Sequence, residues 1–407
     1  MFTLPAVIWI LLLKTRTPSW LDNRLVSGNI AELRLEEKGR FVALTHVGLP
    51  QYMELLSSSA FGDNAREKGN PASGIFSRVG GGMKFSEIAD SIASEMKEVE
   101  EAIHANFHSD VVLIPDVSDY LIGSGGKRIR PMLLVLVAKA CGYEGPRATT
   151  MGCVVEYIHT ATLLHDDVVD DAQMRRGNPS ANAKWNNETS VLVGDFLFAK
   201  SFSLMAADAD LRIIKTMSEA CTLLSEGEVL QLVNMYNLKL TEEEYLDVIY
   251  RKTAALIAAS CRVGALIPDS PPTIANALHQ FGVQIGYAFQ LVDDALDYMG
   301  DAQITGKSVG EDLREGNVTL PLLRVCARAT DAEFERLNQL VVHADEIRAE
   351  DLDDVLELMN KYGAVNYTLD RARGYVEAGK AALSILPDSF HVDVLRDVAD
   401  YIVDRDN

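Results

Sequence analysis

The amino-acid sequence predicts an all-α protein, a large helical bundle with room for a site on facing helices. Three observations carry that expectation. From residue 83 onward, apolar residues recur at three- and four-residue spacing in one segment after another. No run of alternating β-branched residues with hairpin signals interrupts that stretch. Turn punctuation falls between the periodic segments, at Gly123–Gly126, Gly142–Pro146, Arg176–Pro179 and Pro268–Pro272.

The first periodic run opens after Met83 with Phe85, Ile88, Ile92, Met96 and Val99. Further runs cover 131–140, 151–165, 189–206, 211–236, 242–267, 273–299 and 317–328, and the pattern resumes from 352 to 404. Residues 1–82 differ from the rest, with 9 basic and 7 acidic residues against 29 and 52 in residues 83–407. Within them, 57–82 is rich in Ser, Gly and Asn and reads as a linker. The expected organisation is an N-terminal extension, 1–82, followed by one large domain, 83–407. The uncharged opening Met1–Leu13 is shorter than the roughly 20 residues that span a bilayer. It also lacks the basic start of a signal peptide, since its first charge is Lys14.

Composition narrows the function classes. With 48% hydrophobic and 24% charged residues in 407, the chain reads as soluble and globular. A formal net charge of −21 excludes nucleic acid as a partner, because a phosphate backbone needs a basic footprint. The cysteines at 141, 153, 221, 261 and 326 are scattered without a Cys-x-x-Cys pair. Reduced thiols and a cytoplasmic location are therefore expected, with no zinc site or disulfide framework.

Two acidic motifs carry the chemistry. In the first, Asp166-Asp167-Val168-Val169-Asp170 is followed by Asp171 and preceded by His159 and Glu156. On a helix Asp166 and Asp170 stand one turn apart on one face, and Asp167 pairs likewise with Asp171. Like charges at that spacing repel by a few tenths of a kcal/mol, and far more when buried. The interleaved Leu163, Leu164, Val168 and Val169 argue against a merely solvated acidic helix end. Mg²⁺ supplies a reason for the crowding, because it takes carboxylates together with substrate phosphates and water. The second motif, Asp293-Asp294-Ala295-Leu296-Asp297, repeats the arrangement 127 residues later, with Gln290 one turn before it. Facing helices that clamp metal between them are the expected result.

Anionic substrates in an acidic chain need local positive charge. Lys127-Arg128-Ile129-Arg130 follows a Gly-rich turn, where a helix start also offers free N–H groups. Arg175-Arg176-Gly177 comes directly after the first motif, Lys252-Thr253 sits in an otherwise apolar helix, and Lys307 follows the second motif. Arginines bind diphosphate oxygens in pairs. Each basic group alone most often marks a solvated face, but together they provide for two diphosphates, one on metal and one on bare cations.

These residues resemble the trans-polyprenyl diphosphate synthases, over residues 100 to 407. The likeness rests on Gly-Gly-Lys-Arg-Ile-Arg-Pro, Leu-Leu-His-Asp-Asp-Val-Val-Asp, Met-Arg-Arg-Gly, Gly-Asp-Phe, Glu-Gly-Glu-Val-Leu-Gln-Leu, Lys-Thr-Ala-Ala-Leu and Phe-Gln-Leu-Val-Asp-Asp-Ala-Leu-Asp-Tyr, in that order. The nearest group is the bacterial octaprenyl, solanesyl and decaprenyl synthases that make quinone side chains. The resemblance implies the isoprenoid-synthase helical bundle with a central active-site cavity, and a homodimer. It implies Mg²⁺ on Asp166, Asp170 and Asp293, and an allylic diphosphate assisted by Arg175, Lys252, Thr253, Gln290 and Lys307. Isopentenyl diphosphate would sit on Lys127, Arg130, His159 and Arg176. Association with a membrane surface would follow from the product. Where relatives often carry Lys, this chain has Asn317.

Product length is set, on this reading, by side chains just upstream of the first motif. One helical turn rises about 5.4 Å, close to one isoprene unit. Short-chain relatives carry an aromatic at the fourth or fifth position upstream, where this chain has Thr162 and Ala161. Small residues leave the floor open, which predicts a product of about eight to ten units by resemblance. A short-chain, geranylgeranyl-type synthase is the main rival. A terpene cyclase fits less well, because Lys127, Arg130 and His159 provide for a second diphosphate. A non-catalytic subunit would tolerate eroded motifs, and both are intact.

Overall fold

A computed structural model describes residues 84–123, 125–299, 309–342 and 348–404, and the backbone of 33–35 and 41–43. The chain divides into two compact units, Met1–Gly80 and Gly81–Asn407. In the first, strands β1 (Leu33–Leu35) and β2 (Phe41–Ala43) pair antiparallel. The remainder of the extension expected at 1–82, including the linker at 57–82, lies outside the described residues.

The second unit is helical nearly throughout. Its helices are α1 (Phe85–Ser91), α2 (Ala93–Asn106), α3 (Leu113–Gly123), α4 (Ile129–Ala140), α5 (Arg147–Val169), α6 (Ala181–Lys184), α7 (Asn187–Asp208) and α8 (Leu211–Asn234). They continue as α9 (Glu242–Ile249), α10 (Ala255–Leu266), α11 (Pro272–Met299), α12 (Glu311–Arg314), α13 (Leu320–Cys326), α14 (Asp331–Val342), α15 (Ala349–Lys361), α16 (Ala364–Ala382) and α17 (Phe390–Asp404). Local chemistry sets several starts. The side chains of Asn186, Asp210 and Thr241 accept from the N–H groups of Thr189, Arg212 and Glu244, and Glu244 completes a capping box.

Three departures from the periodicity have physical causes. The run at 242–267 is not one helix, because Tyr250–Ala254 forms a π turn in which the Ala255 N–H reaches back to the Tyr250 carbonyl. The run from 352 to 404 begins earlier and divides into α15, α16 and α17, with Gly363 at positive φ between the first two. The turn at Arg176–Pro179 is a small hairpin, β3 (Met174–Arg175) with β4 (Asn178–Pro179). Its two linking residues, Arg176 and Gly177, have φ of 50° and 76°, as two-residue hairpin loops require. The periodic reading also passed over α3 and α14. In α3, Pro115 lies within the first turn, where a missing N–H costs no helical bond.

Helix α4 is buried from Pro131 to Ala138, and α5 and α10 bury most of their length around it. Helix α5 lies along α7, tied by a hydrogen bond of 3.2 Å from His165 Nε2 to the Val191 carbonyl. Helix α11 packs against both α10 and α16. The π turn is gripped from two sides by glycines. A Cβ on Gly227 of α8 would stand 2.6 Å from the Lys252 backbone nitrogen, and one on Gly286 of α11 would run into the Ala254 Cα. Backbone against backbone at this spacing fixes the height of Lys252-Thr253 in the bundle. Gly286→Ala is expected to overpack the contact and cost about 1–3 kcal/mol in urea unfolding; a variant as stable as the parent would contradict this packing.

Candidate active site

The first motif lies at the end of α5, and its aspartates have different surroundings. Asp166 is half-buried in the last turn, Asp167 is fully buried, and Asp170 is exposed just past the helix. The helix ends at Val169, and Asp171 turns out with φ of 52°. The expected second helical pair, Asp167 with Asp171, is therefore absent. Instead Asp167 is held by Arg175 of β3, whose Nη2 and Nε stand 2.6 and 2.7 Å from its Oδ1. Asn182 of α6 donates to the Asp167 carbonyl at 3.1 Å. The buried second aspartate thus clamps the hairpin onto the helix end.

Asp166 faces the π turn. Burial, then repulsion from Glu228 and Asp170, pushes its carboxyl up to about 8, with Lys252 pulling the other way. Lys252 donates to Glu228 Oε2 at 2.8 Å. Burial opposes its charge, but Glu228, Asp166 and Asp170 outweigh that and hold it protonated above the ordinary lysine range.

The second motif, on the last turns of α11, shows the same division. Asp293 is exposed and Asp294 is buried. Asp294 accepts from the Tyr245 hydroxyl on one oxygen and from Gln290 Nε2, at 2.9 Å, on the other. Burial pushes its carboxyl up to about 7 against those two donors. Gln290 in turn accepts from Thr253 Oγ1 at 2.9 Å. Asp297 accepts the N–H groups of Glu311 and Asp312, at 3.1 and 3.2 Å, and so caps α12. Burial, with Asp294 and Asp297 nearby, holds the Asp312 carboxyl well above the usual range.

Both motifs open on one cavity of about 200 Å³, whose wall includes Asp170, Lys252, Thr253, Gln290, Asp294 and Asp312. Among the described residues no three His, Cys, Asp or Glu side chains gather closely enough to hold a metal by themselves. The donor set nonetheless fits Mg²⁺, which keeps waters and uses one or two carboxylates with substrate phosphates. Crowded carboxylates with raised pKa are the environment a divalent cation relieves. On the same wall Asn317 accepts from Gln231 at 2.9 Å and donates to Glu315 at 3.0 Å.

The basic cluster gathers near the middle of α5. Arg130 has a buried Nε without a hydrogen-bond partner in the described structure. Burial lowers its pKa to about 10, with Glu156 opposing and Arg176 assisting. Burial and then Arg130, Arg176 and Arg175 hold His159 neutral, well below the usual imidazole range. Arg176 donates to the Gly125 carbonyl. A Cβ on Gly126 would lie 3.0 Å from its Nη1, so glycine there lets the two loops meet. Lys127 is exposed, its Nζ 5.4 Å from the Tyr401 ring centre. Arg128 is instead structural, bridging Glu100 at 2.6 Å, Glu156 and the Ile122 carbonyl.

The structure thus places Asp170, Lys252, Thr253 and Gln290 on one cavity, with Asp166 facing Lys252 and Asp293 on the adjacent turn of α11. Arg130, His159 and Arg176 form a second group. Arg175 engages Asp167, and Lys307 lies outside the described residues. Ala161 is buried in the core and the Thr162 hydroxyl donates to the His159 carbonyl at 2.8 Å; neither lines the cavity, so the structure does not bring the anticipated floor to it. Sequence reasoning missed Glu228, Tyr245 and Asp312. Glu228 carried a signal, since it lies in Glu-Gly-Glu opposite an isolated lysine.

Two acidic motifs on one cavity, with a second, basic group on the same helical bundle, define a prenyltransferase site. The family model for polyprenyl synthetase matches residues 111–359, and the chain belongs to that family. It is 42% identical over 324 residues to an octaprenyl diphosphate synthase from Escherichia coli, covering 80% of this chain and all of that one. It is 36% identical to an all-trans-nonaprenyl-diphosphate synthase from Rhodobacter capsulatus, over 78% of this chain and 97% of the other. Among solved structures, a decaprenyl diphosphate synthase from Rhodobacter capsulatus superposes with a TM-score of 0.76 at 42% identity, covering 80% and 100% of the two chains. A polyprenyl synthase from Caulobacter crescentus, complexed with calcium and isoprenyl diphosphate, gives 0.77 at 38% identity over 81% and 100%. The fold is the all-α isoprenoid-synthase fold, and the family's chemistry is divalent-metal dependent.

Removing one partner of a buried ion pair leaves the other uncompensated. Arg175→Leu is expected to cost about 3 kcal/mol in denaturant unfolding, with part restored by adding Asp167→Asn. Equal stability of Arg175→Leu and the parent would refute the clamp.

Proposed function

We propose that this chain is an all-trans long-chain polyprenyl diphosphate synthase that adds isopentenyl diphosphate repeatedly to an allylic diphosphate with Mg²⁺. The observation that carries the reading is that Asp170 and the Gln290–Asp294 pair line one cavity, while Arg130, His159 and Arg176 form a separate basic group along the same helix and its hairpin. Asp166, Asp170 and Asp293 would hold Mg²⁺. Bound there, Mg²⁺ supplies Lewis-acid stabilisation of the charge that grows on the departing diphosphate.

Lys252, Thr253 and Gln290 orient the allylic diphosphate from the opposite wall, with Lys307 assigned by resemblance. Arg175, expected on this side, acts through Asp167 and sets the hairpin that carries Arg176 of the isopentenyl side. Lys127, Arg130, His159 and Arg176 hold isopentenyl diphosphate without metal, and the unpartnered Arg130 Nε suits a phosphate oxygen. The allylic C–O bond breaks toward the diphosphate, and the isopentenyl double bond attacks the carbon left electron-poor. A proton then leaves the new chain for the released diphosphate, so the product carries one more unit and a diphosphate of its own. The apolar packing of α4, α5 and α10 excludes water from that carbon.

A long product is supported by the 42% identity to an octaprenyl synthase, against 34% to a short-chain isoprenyl diphosphate synthase from Methanothermobacter thermautotrophicus. Small Ala161 and Thr162 agree with it, and quinone side chains are a fitting use. Helix α7 is long and apolar, with Leu192 63% exposed and Phe196 and Phe202 only partly covered. A second copy of the chain would cover that face, which favours a homodimer. A lipid product favours contact with a membrane surface.

Purified protein given labelled isopentenyl diphosphate, farnesyl diphosphate and Mg²⁺ is expected to yield chains of about eight to ten units, lost on chelation. Ala161→Tyr should shorten them by filling the turn upstream of the motif, at about one isoprene unit per helical turn. No extension, or extension indifferent to metal, would overturn the function; unchanged length in Ala161→Tyr would overturn the ruler.

The raised carboxylates give a pH dependence of definite sign. Asp166 is protonated below about 8 and Asp294 below about 7, and protons on Asp166 compete with metal. Apparent Mg²⁺ affinity should therefore rise as pH increases from about 6 to 9. Without metal, the stability these two groups contribute is full below the ordinary carboxylate pKa and declines as pH rises through 7 and 8. Melting curves across this range with and without Mg²⁺ and diphosphate check both, and a flat profile would contradict the electrostatics.

A further inference from the structure

We propose that Tyr245 is a positioning residue for the metal-side diphosphate, acting through Asp294, Gln290 and Thr253. Tyr245 projects from α9, is 4% exposed, and reaches the cavity wall together with the other three. Its hydroxyl donates to Asp294 Oδ2. Gln290 Nε2 donates to Asp294 Oδ1, and Thr253 Oγ1 donates to Gln290 Oε1, each at 2.9 Å. The chain of bonds has one direction. When ionised, Asp294 only accepts, so Gln290 turns its amide nitrogen toward it and its carbonyl toward Thr253. That choice orients the Thr253 hydroxyl, next in sequence to Lys252, on the cavity wall.

The chain of bonds joins the side chains of α9, the π turn and α11, elements whose backbones already meet at Gly286 and Ala254. Both Asp294 oxygens have protein donors, which holds this carboxylate in the wall. Without the phenol, Asp294 retains one donor. A buried carboxylate short of a partner reorients or is displaced at considerable cost. Gln290 is then free to flip, and the wall facing the diphosphate changes its pattern of donors and acceptors. Tyr245 itself touches no reacting atom in this account.

This inference rests on reading the cavity as the metal and allylic diphosphate site. Its test uses the full chain and an unreactive sulfur-bridged analogue of farnesyl diphosphate, titrated by calorimetry at several Mg²⁺ concentrations. Outer-shell partners of metal sites typically alter affinity by about 10–100-fold. Tyr245→Phe should weaken Mg²⁺-dependent binding of the analogue about tenfold, while the KM for isopentenyl diphosphate stays within a factor of about two. In the double variant Tyr245→Phe/Asp294→Asn, binding should be no weaker than in Asp294→Asn alone, since Tyr245 acts through that carboxylate. Unchanged analogue binding in a folded Tyr245→Phe protein overturns the inference, as do equal losses for both diphosphates or additive losses in the double variant. If Tyr245→Phe does not fold, Asp294→Leu decides: it leaves Gln290 and Tyr245 no acceptor at that position, and unchanged binding overturns the chain. If the parent binds the analogue without any Mg²⁺ dependence, the reading of the site itself fails along with the inference.

Discussion

Repulsion among carboxylates around one small cavity is the constraint on which the rest of this structure depends. Asp170, Asp294 and Asp312 line it, with Asp166 and Glu228 close to the first and Asp293 and Asp297 close to the others. Left uncompensated, such crowding would force the helix ends apart or keep the groups protonated. The protein resolves it by giving the second aspartate of each motif a private set of donors. Asp167 has Arg175, and Asp294 has Tyr245 and Gln290. Those aspartates become anchors, distinct from Asp166, Asp170 and Asp293, the proposed metal ligands.

The opposite sign of charge is handled in the same economical way. Arg128 is tied to Glu100 and Glu156, whereas Arg130 keeps a buried donor without a partner among the described residues. His159 is kept neutral by burial among the arginines and can offer a hydrogen bond without adding charge. Lys252 stands between the two regimes, charged because Glu228 and the first motif surround it, and fixed in height by Gly227 and Gly286. A chain of net charge −21 can thus receive two anions, because positive charge is concentrated where it is needed.

Much of this was legible in the sequence, and what was not has physical reasons. Apolar periodicity located α5, α7, α8 and α11 to within a few residues, because each buries a continuous face. It missed the π turn, since Tyr250–Ala254 keeps the apolar spacing while adding one residue to the turn. The aspartates read as equivalent, yet burial divides them, and burial comes from neighbours distant in sequence: Asn182 for Asp167, Tyr245 for Asp294. Arg175 looked like a substrate ligand because arginine beside an acidic motif suits a diphosphate, and the fold gives it Asp167. Tyr245 had no local signal, being one tyrosine in a charged helix whose partner lies 49 positions away.

The most direct measurement is a crystal structure of the full chain with Mn²⁺ and an unreactive allylic diphosphate analogue, with the metal located by anomalous scattering. The account predicts metal peaks ligated by Asp166 and Asp170 on one side and Asp293 on the other, bridged by the analogue's diphosphate, with Asp167 still on Arg175 and Asp294 still on Tyr245. Metal bound by either motif alone, or a diphosphate seated away from the cavity between them, would contradict it.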